Sequence, residues 1–116
     1  MTTTTVIPRL VLASASPRRL ELLQQAGLEP EVIASRIDET PRDGEEPVEY
    51  ARRMSLEKAR EVGAAVDGER PILAADTIVH LPDGEPRILG KPEGADAARV
   101  MLARLSGRAH EVVTAY

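Results

Sequence analysis

The sequence predicts an α/β fold, a mixed, twisted β-sheet flanked by helices, and three stretches carry that prediction. Leu10 to Arg19, LVLASASPRR, is a short apolar strand that runs through a small-residue loop into a helix opened by Pro17. Pro47 to Val66 repeats its apolar residues at helical spacing. The run PILAADTIVHL at 71–81 is the most strand-like in the chain. A chain of 116 residues is long enough for one core and too short for two, so residues 1–116 form a single domain.

Composition bounds the partners. Apolar residues make up 42% of the chain but aromatics only 2%, with two Tyr and neither Phe nor Trp, so the core is aliphatic and base stacking on aromatic platforms is a poor prospect. Fifteen basic residues against nineteen acidic leave a net charge of −4, which argues against nucleic-acid polymers and anionic membranes as partners. A small anion in a local basic pocket stays compatible with that balance. There is no cysteine, hence no disulfide, thiolate metal site or Cys nucleophile. The start MTTTTVIPRL lacks the pattern of a secretory leader, and no stretch is long enough to cross a bilayer; a soluble cytoplasmic protein is the expectation.

Taken in order, residues 1–8 read as a frayed lead-in ended by Pro8. The strand from Leu10 to Ala13 leads to Ser14, Ala15 and Ser16. Ser16 suits the N-cap and Pro17 the first helical position, where its missing N–H costs nothing. Arg18 and Arg19 break the rule for a first turn. Its positive dipole end disfavours each of them by roughly a few tenths of a kcal/mol unless an anion shares the site, which points to a phosphate. The plainer alternative is that both arginines lie in solvent. The helix is expected over Pro17 to Ala26, with Leu20, Leu23 and Ala26 inward and Gly27 as its stop.

A strand follows at Glu31 to Ala34, with Val32 and Ile33 facing opposite sides, and then an exposed acidic loop, Ile37 to Glu46. In the helix from Pro47 to Val66, Ala51, Met54, Val62 and Ala65 share a face, and Lys58 lies within about 40 degrees of each. A lysine on such a seam either snorkels to the edge or meets a partner there. The unbroken run 71–81 suggests a central strand covered on both faces, with Asp76 in its middle. A buried carboxylate without a partner costs roughly several kcal/mol, so Asp76 must be paired, bind metal or open into a cleft. Asp83-Gly84 and the apolar Ile88 and Leu89 predict a hairpin with Gly90, Lys91 and Pro92 as its exit. A third helix covers Gly94 to Leu105, with Ala98, Met101, Leu102 and Leu105 on one face. The last strand, Ala109 to Tyr116, places His110, Val112 and Thr114 opposite Glu111 and Val113. It stops without turn or polar tail, so a missing C-terminal part is expected, and its apolar edge suggests self-association, as in a homodimer.

The residues that packing does not explain are Ser14, Arg18, Arg19, Glu39, Lys58, Asp76 and Lys91. Cations that neutralise phosphate oxygens and carboxylates that hold a metal or position water are what a triphosphate with a divalent cation requires.

In SASPRR at 14–19, DET at 38–40, EKA at 57–59, AADT at 74–77, LGKP at 89–92 and LSGRAHEVVTA at 105–115, the sequence resembles the Maf family of nucleoside triphosphate pyrophosphatases. The resemblance implies hydrolysis between the α and β phosphates to a monophosphate and pyrophosphate, serving to clear unwanted nucleotides. It implies a two-lobed fold like that of the inosine triphosphate pyrophosphatases, with the site in the cleft between lobes, and a divalent cofactor, Mg²⁺ or Mn²⁺. By position, Asp76 matches the proton acceptor. Ser14, Arg19, Lys58 and Lys91 match the phosphate-binding set, Glu39 a carboxylate that shares the metal with Asp76, and Arg18 and Thr77 base-selecting positions of the dTTP/UTP branch. The family continues past the last strand with a second acidic segment and a base-selecting glutamine. A competing expectation is a truncated protein that binds nucleotides or regulates septum formation with little turnover; a generic phosphate-binding α/β domain explains only the first motif.

Overall fold

The computed structural model describes residues 9–83 and 88–116. The lead-in at 1–8 and the tip of the predicted hairpin at 84–87 lie outside the described residues. The elements run β1 (Val11–Leu12), α1 (Pro17–Gln25), β2 (Glu31–Val32), α2 (Pro47–Ala65), β3 (Ile72–Leu73), β4 (Asp76–His80), β5 (Ile88–Leu89), α3 (Ala95–Leu105) and β6 (Glu111–Ala115).

The strands form two three-stranded sheets, one parallel in the order β2-β1-β3 and one antiparallel in the order β5-β4-β6. The run 71–81 is therefore not the single central strand its apolar pattern predicts. It pairs with β1 as far as Leu73, breaks at Ala74 and Ala75, and enters the second sheet at Asp76. Hydrophobicity is blind to that break, because the joint is buried and, apart from Pro71 and Thr77, the residues on either side of it up to Leu81 are buried or half-buried alike. Which strand pairs with which is decided by backbone hydrogen bonds such as Ala13 N–H to the Leu73 carbonyl at 2.8 Å.

Helix α2 spans both sheets. Its C-terminal half packs Val62 against Val11, Ala13 and Ala74, and its N-terminal half packs Tyr50, Ala51 and Met54 against Ile78. Gly63 lets α2 pass close to β3: a Cβ there would stand 3.0 Å from Ile72 Cδ1, so the tip of that side chain would have to give way. Ala65, expected on this face, is exposed, because the helix ends at that residue and Val66 is already extended.

The peripheral helices are less covered than their patterns suggest. In α1, Leu20 and Leu23 are only half-buried and Ala26 is exposed; in α3, Leu102 is 66% exposed although Ala98, Met101 and Leu105 are half-buried. In β2 the expected split holds, with Val32 exposed and Ile33 against the core. Strand β6 alternates as predicted, Val113 and Ala115 packing inward and Val112 facing out.

Candidate functional site

The turn between β1 and α1 is built by its serines. Buried Ser14 accepts the Ser16 N–H on its Oγ at 3.0 Å, and Ser16 Oγ accepts the Arg19 N–H at 3.4 Å, which caps the helix as its sequence predicts. The Arg19 guanidinium then points across to the second sheet. It donates to Thr77 Oγ1 at 3.0 Å and reaches Ser14 Oγ at 3.5 Å, while Thr77 Oγ1 lies 2.8 Å from Thr114 Oγ1. Arg18, one residue round the helix, faces outward and meets Glu21 at 3.5 Å in an exposed pair.

Asp76 stands at the crossing between the two sheets and is buried. Its Oδ1 accepts from Lys58 Nζ at 3.0 Å, and the same ammonium lies 3.2 Å from Glu39 Oε1. Lys58 thus turns inward between the exposed Glu39 and the buried Asp76 instead of snorkelling, and this pairing is what makes the buried Asp76 charge tolerable. Asp76 Oδ2 is buried without a hydrogen-bond partner in the protein.

The loop carrying Glu39 is held from α2. The Tyr50 hydroxyl donates to the Glu39 carbonyl at 2.6 Å, and Arg53 donates to the Thr40 carbonyl at 3.2 Å and to both Glu45 oxygens at 2.7 and 2.8 Å. Burial, reinforced by the negative charges of Asp76 and Glu39, pushes the Tyr50 phenol up to about 12, so it stays a donor at neutral pH. The Arg53 hydrogen bonds hold the Glu45 carboxyl down at about 2 against the opposing effect of burial. Hydrogen bonds from the Thr40 side chain and amide hold Asp38 below the usual carboxylate range.

Two adjoining cavities share Glu39 and Lys91 as walls. The smaller, about 100 Å³, is polar and cationic, lined by Ser14, Ser16, Arg19 and Lys58. The larger, about 360 Å³, runs from Asp76, Thr77 and Tyr50 to the apolar Leu89 and Met101. The structure therefore brings together Ser14, Arg19, Glu39, Lys58, Asp76, Thr77 and Lys91, and Arg18 lines neither cavity. Among the described residues no three acidic or histidine side chains gather into a metal cage. The carboxylates of Glu39 and Asp76, both drawn to the Lys58 ammonium, fit the way Mg²⁺ is usually bound, by one or two carboxylates together with substrate phosphates.

The profile of the family described as Maf-like protein matches residues 9–116. The chain belongs to the Maf family. It is 52% identical over 110 residues to a dTTP/UTP pyrophosphatase of Chromobacterium violaceum, covering 91% of this chain and 54% of that protein. Similar proteins of the same name occur in Geobacter metallireducens, 54% identical over 109 residues, and Methylococcus capsulatus, 49% over 107; the matches cover 93% and 92% of this chain, and 54% and 52% of those proteins. This Maf chain spans about half the length of the curated relatives it matches. No helix among its described residues is long and apolar enough to cross a membrane.

Sequence reasoning overlooked Tyr50, Arg53 and Thr114 as parts of this candidate site. Tyr50 and Arg53 carried a signal, being spaced at i and i+3 on the helix that presents Lys58. Thr114 carried none, because it meets Thr77 only through the register of β4 with β6.

Proposed function

We propose that this Maf protein hydrolyses a nucleoside triphosphate of the dTTP/UTP kind to its monophosphate and pyrophosphate, with Asp76 as proton acceptor. The observation that carries the reading is the state of Asp76: one oxygen is anchored by Lys58, and the other is unpartnered beside a cleft with a cationic end and an apolar end. The apolar end, at Leu89 and Met101, suits a base. The end with Ser14, Arg19, Lys58 and Lys91 suits phosphates. Arg18 and Thr77 remain the residues proposed to select the base; Thr77 stands on the cleft wall, and Arg18 acts only if its side chain leaves Glu21.

In the proposed step, a water oxygen bonds to the α-phosphorus as the bond from that phosphorus to the bridging oxygen breaks. Asp76 Oδ2 takes the proton that water loses, while Lys58 holds Oδ1 and keeps the carboxylate aimed. Arg19 and Lys91 stabilise the charge that collects on the departing pyrophosphate. A divalent cation, Mg²⁺ or Mn²⁺, held by Asp76 and Glu39 would supply further neutralisation of the phosphates.

Pyrophosphate release measured over a nucleotide panel with Mg²⁺ or Mn²⁺ tests the proposal, with dTTP and UTP expected to lead. Asp76→Asn keeps the shape and is expected to lower turnover at least ~100-fold with the fold intact. Turnover within a few-fold of wild type would make Asp76 structural and end this mechanism.

A further inference from the structure

We propose that Tyr50 and Arg53 are positioning residues that set where the Glu39 carboxylate stands relative to Asp76 and Lys58. The loop Ile37 to Glu46 contains neither helix nor strand and is mostly exposed; its internal bonds, such as Thr40 N–H to Asp38 Oδ1 at 3.0 Å and Glu45 N–H to the Arg42 carbonyl at 3.0 Å, shape it locally without fixing it to a helix or strand. Helix α2 supplies that definition. Two successive carbonyls, those of Glu39 and Thr40, accept from Tyr50 Oη at 2.6 Å and Arg53 Nη2 at 3.2 Å. The same guanidinium grips Glu45 at the far end of the loop at 2.7 and 2.8 Å and Glu57 on its own helix at 3.2 Å, and it lies 5.7 Å from the Tyr50 ring centre. Tyr50, Arg53 and Glu57 follow one another at i, i+3 and i+7 along one stripe of α2, and Lys58, one residue round from Glu57, stands on the adjoining face. One rigid element therefore both ties down the loop and presents the ammonium that pairs with Glu39 at 3.2 Å.

The activity arm of the test rests on the reading given under Proposed function; the exchange arm does not. Tyr50→Phe removes one hydroxyl and keeps the ring, and Arg53→Lys keeps the charge and loses the fork. Hydrogen–deuterium exchange of the segment 37–46 in the full-length protein is expected to rise about 10-fold in each variant, with the C-terminal half of α2 as protected as in wild type. The Mg²⁺ concentration for half-maximal pyrophosphate release is expected to rise about 10-fold, the low end for losing a partner that orients a metal-site carboxylate. Because both residues act through Glu39, neither should add to the defect of Glu39→Gln when combined with it. Wild-type exchange in the variants, an unchanged Mg²⁺ requirement, or defects that multiply with that of Glu39→Gln would each overturn the proposal. If Glu39→Gln alone behaves as wild type, the functional reading of Glu39 falls and the exchange arm still decides the tether. Should one variant fail to fold, the other decides.

Discussion

Glu45→Gln removes the acidic half of the ion pair that closes the Ile37 to Glu46 loop onto α2. The pair is bidentate, with contacts of 2.7 and 2.8 Å, and its side chains are 8% and 15% exposed. Hydrogen bonding by Arg53 lowers the Glu45 pKa from 4.5 to about 2 in the folded protein. A carboxyl depressed in this way stabilises the fold fully above its unfolded pKa and loses that contribution as pH falls through the folded one. For Glu45 the window runs from 4.5 down to about 2. At about 1.4 kcal/mol per pH unit the ceiling is about 3 kcal/mol, and water near the pair lowers it, so a loss of about 1–3 kcal/mol is expected at pH 7. By pH 3 most of the unfolded chain already carries the proton, so the difference between Glu45→Gln and wild type should shrink to less than half. Urea denaturation of both proteins at pH 7 and pH 3 measures it. Equal stability at pH 7, or the same deficit at both pH values, would refute the assignment of this shift to the Arg53 clamp.

Lys58→Met leaves the buried Asp76 carboxylate without its cation, and a loss of about 3–5 kcal/mol in urea denaturation is expected. Adding Asp76→Asn to it should restore part of that loss by removing the stranded charge; a Lys58→Met protein as stable as wild type would contradict the buried pair. Met54→Ala empties a fully buried position between Tyr50, Ala51 and Ile78 and should cost about 2–5 kcal/mol, measured in the same way.

Features that local chemistry enforces can be read without the fold. Ser16 and Pro17 start α1 because a hydroxyl acceptor and a fixed φ suit a helix start wherever it lies, and the structure has both in those roles. Helical periodicity alone put Lys58 on the buried seam, with snorkelling left open, and the cost of burying charge marked Asp76 as a carboxylate in need of a partner. Pairings between residues distant in the chain arise only in the folded molecule. The break of 71–81 into β3 and β4 depends on which backbone groups each half finds to bond, and that break is what sets Asp76 at the junction of two sheets. The arginine pair separates because α1 turns about 100 degrees per residue, sending Arg19 to Thr77 and leaving Arg18 with Glu21. Tyr50 and Arg53 became visible as holders of Glu39 only once an irregular loop, with no periodicity to read, was laid along α2. Periodicity specifies the face on which a side chain lies; the opposing atom is supplied by the fold, through hydrogen bonds and strand register that no local pattern encodes.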